Sequence, residues 1–151
     1  MLKRQSQLDA TAERQPSPAT RVLIVDDYEP WRRWICLEIR SQQQLQVIVE
    51  ASDGIEAVRK AHELKPDIIL LDVGLPNLNG LEVSRRIAQS TPDSKIVFLT
   101  GLRDPDLVKQ ALSNGATGYV LKVHAKTDLL IAIEAVVQGR RFVSRGLTTR
   151  F

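Results

Sequence analysis

The stretch Ile68–Gly80, IILLDVGLPNLNG, places an aliphatic run directly before an aspartate, and this pattern decides how the rest of the chain is interpreted. Four aliphatic residues without polar alternation are typical of a strand covered on both faces, as in a parallel sheet. Asp72 follows where the run ends, with two glycines and a proline close behind it. The stretch therefore predicts a buried strand that ends in a carboxylate, although aspartates of this kind also form ordinary turns.

Similar apolar runs recur along the chain and alternate with helical patterns. Strands are predicted over residues 21–25, 45–51, 67–71, 95–99 and 118–121. The helical patterns begin near Pro30 and continue in the runs GIEAVRKAHEL, NGLEVSRRIAQ, DPDLVKQALSN and DLLIAIEAVVQG. Five strands and five helices in strict alternation predict an α/β fold with a parallel sheet and helices on both faces.

Composition indicates one domain of ordinary size. The chain has 151 residues, and no apolar run approaches the roughly 18 residues that a membrane span needs. The N-terminus is polar where a signal peptide would be apolar, so we expect a cytoplasmic protein. The single cysteine, Cys36, lies in a helical pattern, and we expect it to pack as a small hydrophobic residue without a redox role.

The net charge of +3 belongs to the ends of the chain. Residues 21–138 carry 14 basic and 16 acidic side chains, whereas residues 139–151 carry four arginines and no acid. We expect residues 1–20 to form a flexible leader, because they contain too few apolar residues to repay ordering. Residues 139–151 are interpreted as a linker or tail, since a basic tail is more often solvated than a DNA-binding arm.

Polar residues follow four of the five predicted strands. Asp26 and Asp27 follow the first strand, Asp72 the third, Thr100 the fourth and Lys122 the fifth. Because the carboxyl ends of parallel strands meet at one edge of a sheet, these side chains are expected to lie together. Each has an ordinary interpretation by itself, as a helix cap, a turn residue, a strand end or a surface lysine. Their joint placement argues against those interpretations.

The chemistry of this set indicates phosphoryl transfer. Three carboxylates repel one another unless a cation compensates them, and oxygen-only ligation is the preference of Mg²⁺. Lys122 would add a positive charge that offsets charge on phosphoryl oxygens. Asp72 would be the nucleophile and form an acyl phosphate, and the Thr100 hydroxyl could bond to a phosphoryl oxygen.

Over residues 21–138 the sequence resembles the receiver domain of two-component response regulators. The resemblance is carried by VLIVDD (22–27), DIILLDVGLPNLNG (67–80), VFLTG (97–101) and GATGYVLK (115–122). It implies a flavodoxin-like (βα)5 fold with a five-stranded parallel sheet in the order 2-1-3-4-5. It also implies a phosphoacceptor signalling domain with at most slow self-dephosphorylation, which is phosphorylated by a sensor histidine kinase and could form a homodimer when phosphorylated.

The resemblance assigns roles to particular residues. It implies a phosphoacceptor at Asp72, Mg²⁺ held by Asp27 and Asp72 with help from Asp26 and the backbone carbonyl of Gly74, a switch pair of Thr100 and Tyr119, and a phosphate-pairing Lys122. A phosphoryl group that draws Thr100 towards Asp72 would open a space behind it, into which Tyr119 could turn. We expect this to change the surface of the fourth helix, fifth strand and fifth helix.

The run AIEAVVQGRRFVS further resembles receivers of the NarL/FixJ (LuxR) type, in which such a segment leads into a helix-turn-helix DNA-binding domain. After residue 139 only 12 residues remain, too few for that domain, so DNA binding is not carried over to this chain. We expect either a truncated protein, which is the favoured alternative, or a stand-alone receiver. In the first case the output would be transcription.

Some positions depart from the common receiver pattern, and rival classes lack their own motifs. Gly74 has no side chain where many receivers have one, which leaves the phosphate lifetime open, and Val123 in place of proline predicts a trans bond after Lys122.

An aspartate phosphatase needs a second acid at Gly74, an FMN binder needs a different turn at DDYEP, and no dinucleotide fingerprint is present. A degenerate receiver that acts only in protein interaction stays open as the alternative.

Overall fold

The structure, a computed structural model, describes residues 18–147. It forms one parallel sheet in the order β2-β1-β3-β4-β5-β6. The strands are β1 Thr20–Val25, β2 Leu45–Ala51, β3 Ile68–Leu71, β4 Lys95–Thr100, β5 Gly118–Leu121 and β6 Phe142–Val143. The helices are α1 Glu29–Arg40, α2 Gly54–Leu64, α3 Gly80–Ser90, α4 Pro105–Ser113 and α5 Ala125–Val137, and a 3-10 turn, Lys122–His124, precedes α5.

The prediction of an α/β fold with strand order 2-1-3-4-5 is confirmed, but the prediction of five strands is wrong. A sixth strand, Phe142–Val143, pairs with β5 inside the segment that the sequence assigned to a linker. Gly139 takes a positive φ of 83° and turns the chain back towards the sheet edge. Two apolar residues between arginines give no periodic signal, so this strand could not be recognised in the sequence.

The sheet is covered on both faces, as the aliphatic runs predicted. Within β3, Ile69 and Leu71 pack into the core beneath α2, α3 and α4, whereas Ile68 and Leu70 pack into the core beneath α1 and α5. This alternation arises because successive strand residues point to opposite faces. Cys36 is buried in the second core and has no disulfide partner, which agrees with its predicted role as a packing residue.

The loop between β3 and α3 holds the end of β3 close to the next helix. Asn79 caps α3, and its side chain accepts a hydrogen bond from the Glu82 amide at 3.0 Å. A side chain on Gly80 would place its Cβ 2.3 Å from the Asp72 carbonyl oxygen, so only glycine permits this approach. The NG pair at the end of the opening stretch therefore determines where Asp72 lies relative to α3.

The segment after α5 packs against β5 through a buried polar network. The Ser144 hydroxyl donates to Asp128 Oδ2 at 2.9 Å and accepts from the Leu121 amide at 3.0 Å, and the Ser144 amide donates to the Tyr119 carbonyl. Leu147 is buried in the core beneath α4. Part of the predicted tail is thus packed on the sheet, although its three described arginines are exposed.

Most of the predicted leader, residues 1–17, and the last part of the predicted tail, residues 148–151, lie outside the described residues. Within residues 18–147 no helix combines the length and apolarity that a bilayer crossing requires. The cytoplasmic location stays a prediction.

The polar network predicts a difference between two buried serines. Ser144→Ala leaves the Leu121 amide without its acceptor and should lower the free energy of unfolding by about 1–3 kcal/mol. Ser84 is equally buried, but its hydroxyl has no hydrogen-bond partner among the described residues, so Ser84→Ala should change that free energy by less than about 0.5 kcal/mol. Urea denaturation measures both variants. Equal losses would show that the Ser144 network does not hold the segment on the sheet.

Candidate functional site

Three carboxylates meet at the carboxyl edge of the sheet. The backbone pairing continues past the strand ends, because the Asp72 amide donates to the Val25 carbonyl and the Asp26 amide donates to the Ala51 carbonyl, both at 3.1 Å. Oxygens of Asp26, Asp27 and Asp72 lie within 4.8 Å of one another. Asp26 and Asp72 are buried, whereas Asp27 is exposed. The structure therefore brings together the three acids that the sequence proposed.

Lys122 lies against this cluster from the end of β5. Its Nζ is 2.7 Å from Asp26 Oδ2 and 3.2 Å from Asp72 Oδ2. Burial raises the pKa of Asp26, and the Lys122 ammonium opposes that rise. Burial would lower the pKa of Lys122, but its bonds and charge interactions with Asp26 and Asp72 outweigh burial and raise it. Lys122 therefore stays protonated and compensates part of the acidic charge.

The remaining charge and the donor atoms fit a divalent cation. Three ionised carboxylates and one ammonium leave a net charge of −2, and every available side-chain donor is an oxygen, which suits Mg²⁺. Asp27 is the solvent-exposed member of the cluster. The predicted ligation by the Gly74 carbonyl stays a prediction.

Thr100 and Tyr119 are linked through one backbone residue. Thr100 ends β4 and is buried, and its hydroxyl oxygen accepts a long bond of 3.4 Å from the Leu102 amide. The Tyr119 hydroxyl donates to the Leu102 carbonyl at 2.6 Å. Burial, together with the charges of Asp72 and Asp104, raises the pKa of Tyr119 to about 12. The phenol is therefore a donor at neutral pH.

The orientation of Tyr119 differs from the sequence-based expectation. A rotation into a space behind Thr100 requires Tyr119 to begin outside, but its side chain is already 0% exposed and its ring lies 6.0 Å from that of Phe98. The ring packs in the core beneath α4, in the same cluster as Val143 of β6 and Leu147. Any switch in this structure starts from the inward tyrosine.

The receiver family matches most of this chain. Residues 22–134 match the response regulator receiver domain family. The chain belongs to this family. The receiver is 38% identical over 124 residues to the response regulator GacA of Pseudomonas viridiflava, which covers 82% of this chain and 58% of GacA. It is 37% identical over 130 residues to the oxygen regulatory protein NreC of Staphylococcus aureus strain JH9, covering 85% and 60%. The receiver thus spans about three fifths of these relatives.

Solved structures agree with this assignment. A LuxR-family two-component response regulator from Aurantimonas sp. SI85-9A1 superposes with a TM-score of 0.81 at 35% identity, covering 85% of this chain and 91% of that one. The receiver domain of NarL from Mycobacterium tuberculosis gives 0.78 at 27% identity, covering 82% and 100%. The sequence-based assignment to the NarL/FixJ type is confirmed.

Two residues of the receiver site were not assigned a role from the sequence. Arg32 donates from Nη1 to the Asp26 carbonyl at 2.7 Å, and Glu50 orients it through a contact of 3.2 Å to Nε. The ring of Trp31 lies 5.4 Å from Lys122 Nζ. Trp31 and Arg32 lie in the first turn and a half of α1, directly after the acidic pair. This position was the only signal in the sequence for a role at the site. In the sequence, Trp31 belongs to the apolar stripe of a helical pattern, which predicts packing and no role at the site.

The structure describes three further positions near the receiver site. The Lys122–Val123 peptide bond is trans, as the absence of proline predicted. Tyr28, which follows the acidic pair, is 63% exposed to solvent. A Cβ placed on Gly74 would meet nothing within 4 Å, so this position leaves open space beside Asp72.

Proposed function

We propose that this receiver accepts a phosphoryl group on Asp72 from a phosphohistidine of a sensor kinase in a Mg²⁺-dependent reaction, and then changes conformation to control an output. The observation that carries the proposal is the position of Lys122, whose ammonium bridges Asp26 and Asp72 inside a cluster of three carboxylates. A structural ion pair would need one acid only, whereas this arrangement keeps surplus negative charge at a sheet edge.

The proposed reaction is a displacement at phosphorus. A carboxylate oxygen of Asp72 attacks, the P–N bond of the phosphohistidine breaks, and the leaving imidazole takes up a proton from its surroundings. Lys122 exchanges its contact with Asp72 for one with a phosphoryl oxygen and remains paired with Asp26. A Mg²⁺ ion bound by Asp26, Asp27 and Asp72, with the Gly74 carbonyl as a further ligand, would neutralise charge on the phosphoryl oxygens.

The output lies beyond the receiver in this proposal. The curated relatives are regulators longer than this chain, and their identity to it is confined to about three fifths of their length. We infer that the whole protein controls transcription through a DNA-binding domain, and that phosphorylation favours a homodimer. The receiver itself acts as a signalling domain whose only reactions are acceptance and slow loss of the phosphoryl group.

The switch that we propose begins at Thr100 and passes through Leu102. A phosphoryl oxygen on Asp72 would compete with the Leu102 amide for the Thr100 hydroxyl, whose present bond to Leu102 is long at 3.4 Å. Movement of Leu102 would alter its bond with Tyr119, which is short at 2.6 Å and partly buried. The loop between β4 and α4 would then change, and with it the surface formed by α4, β5 and α5.

Incubation with Mg²⁺ and acetyl phosphate tests the acceptor. Wild type should gain the mass of one phosphoryl group, because Lys122 and the metal offset the charge of the incoming phosphate. Asp72→Asn and wild type with EDTA should gain none. Asp93→Asn serves as the control, since Asp93 is exposed and precedes β4 at the opposite edge of the sheet. Intact mass measurement reads the result, and an unmodified wild type would leave the receiver as an interaction module only.

Hydrogen exchange tests the switch. Phosphorylation of wild type should change the hydrogen-exchange rates in peptides that cover residues 100–104. The reason is that the Leu102 amide would lose its hydrogen bond to the Thr100 hydroxyl. Thr100→Ala should take up the phosphoryl group but lack this change. Thr117→Ala is the control, because the Thr117 hydroxyl is half-buried and bonds to Ile96 at the other end of the sheet, and this variant should behave as wild type. A Thr100→Ala variant with the wild-type exchange pattern would contradict the coupling.

A further inference from the structure

Trp31 contacts the lysine of the proposed phosphorylation site. It lies in the first turn of α1 and is half-buried, and Lys122 Nζ lies 5.4 Å from the centroid of its ring. The ring stacks on Trp34 at a centroid distance of 5.1 Å and an interplanar angle of 24°. The indole N–H of Trp31 is buried and has no hydrogen-bond partner among the described residues. The indole is therefore held by packing, and one of the groups it contacts is a charged ammonium.

The Lys122 ammonium thus has two kinds of neighbour. The carboxylates of Asp26 and Asp72 bind it by charge, and the aromatic face of Trp31 attracts it through the ring quadrupole, an attraction that operates within about 6 Å and is strongest for Trp. Only a quarter of the Lys122 side chain is exposed. The indole therefore replaces water on part of the ammonium surface without neutralising its charge.

The contact with Trp31 restricts the Lys122 side chain, and this restriction is relevant to the proposed phosphoryl transfer. A lysine has four rotatable side-chain bonds and loses considerable entropy when it is ordered. An ammonium that is already placed beside Asp72 contributes to the reaction without that loss at the moment of transfer. Asp72 cannot hold the ammonium during the whole reaction, because Lys122 leaves Asp72 and contacts a phosphoryl oxygen instead.

We propose that Trp31 is a positioning residue that holds the Lys122 ammonium at the phosphoacceptor while Lys122 changes partner from Asp72 to the phosphoryl group. This proposal rests on the proposed function. Trp34 provides the comparison, because it is also a half-buried tryptophan of α1 in the same core cluster, and its described aromatic contact is with Trp31.

Binding of beryllofluoride, BeF3⁻, in the presence of Mg²⁺ tests the proposal, since this anion imitates a phosphoryl group on a carboxylate. Calorimetric titration of Trp31→Leu should give an affinity about three- to tenfold weaker than wild type, and Trp31→Phe should lie between them because its ring has a weaker quadrupole. Trp34→Phe, which keeps an aromatic ring beside Trp31, should stay within about twofold of wild type. Urea denaturation of Trp31→Leu and Trp34→Phe shows that each variant is folded under the conditions of the titration.

Fluorescence tests the contact without a phosphoryl group. In a Trp34→Phe background Trp31 is the single tryptophan, and Lys122→Met should change its emission because the charge over the ring is removed. Lys126→Met, which removes an exposed lysine of α5, should not. Equal affinities of Trp31→Leu and Trp34→Phe, or equal emission of the two lysine variants, would overturn the role of Trp31 alone. Failure of wild type to bind BeF3⁻ would overturn the proposed function and this role together.

Discussion

The bridge from Lys122 to Asp26 and Asp72 is the interaction on which the rest of the structure depends. It joins the ends of β1, β3 and β5 across up to 96 positions of sequence, and it holds a surplus of negative charge in a partly buried place. Two buried carboxylates without this ammonium would be costly, because each charge loses its solvation. The parallel sheet, its strand order and the glycine at position 80 all serve to bring these three groups to one edge.

The surroundings of the bridge connect it to two more distant parts of the fold. Leu102 links Thr100 to Tyr119 through its amide and carbonyl, and Ser144 links the segment after α5 to the residue directly before Lys122. The bonds of Leu102 to Tyr119 and of Leu121 to Ser144 are 2.6 Å and 3.0 Å long, whereas the bond of Leu102 to Thr100 is long at 3.4 Å. A change at Asp72 therefore has defined hydrogen bonds through which it could reach the surface of α4, β5 and the segment up to Leu147.

The sequence predicted the features that depend on local pattern and missed those that depend on tertiary contact. Aliphatic runs without polar alternation gave the strands, and polar residues at their ends gave the acidic cluster and Lys122. The strand Phe142–Val143 has no pattern of its own, since pairing with β5 alone makes it a strand. The inward position of Tyr119 and the contact of Trp31 with Lys122 follow from how helices and strand edges pack, which periodicity does not encode.

The proposed signalling role depends on an acyl phosphate at one particular carboxylate, that of Asp72. Reduction of the phosphorylated protein with sodium borohydride converts an aspartyl phosphate into homoserine, and fragmentation of the peptides by tandem mass spectrometry locates the converted residue. We expect homoserine at position 72 and unchanged aspartate at positions 26 and 27. Homoserine at position 26 or 27, or a phosphoryl group that survives borohydride on a hydroxyl such as that of Thr100, would contradict the proposed role.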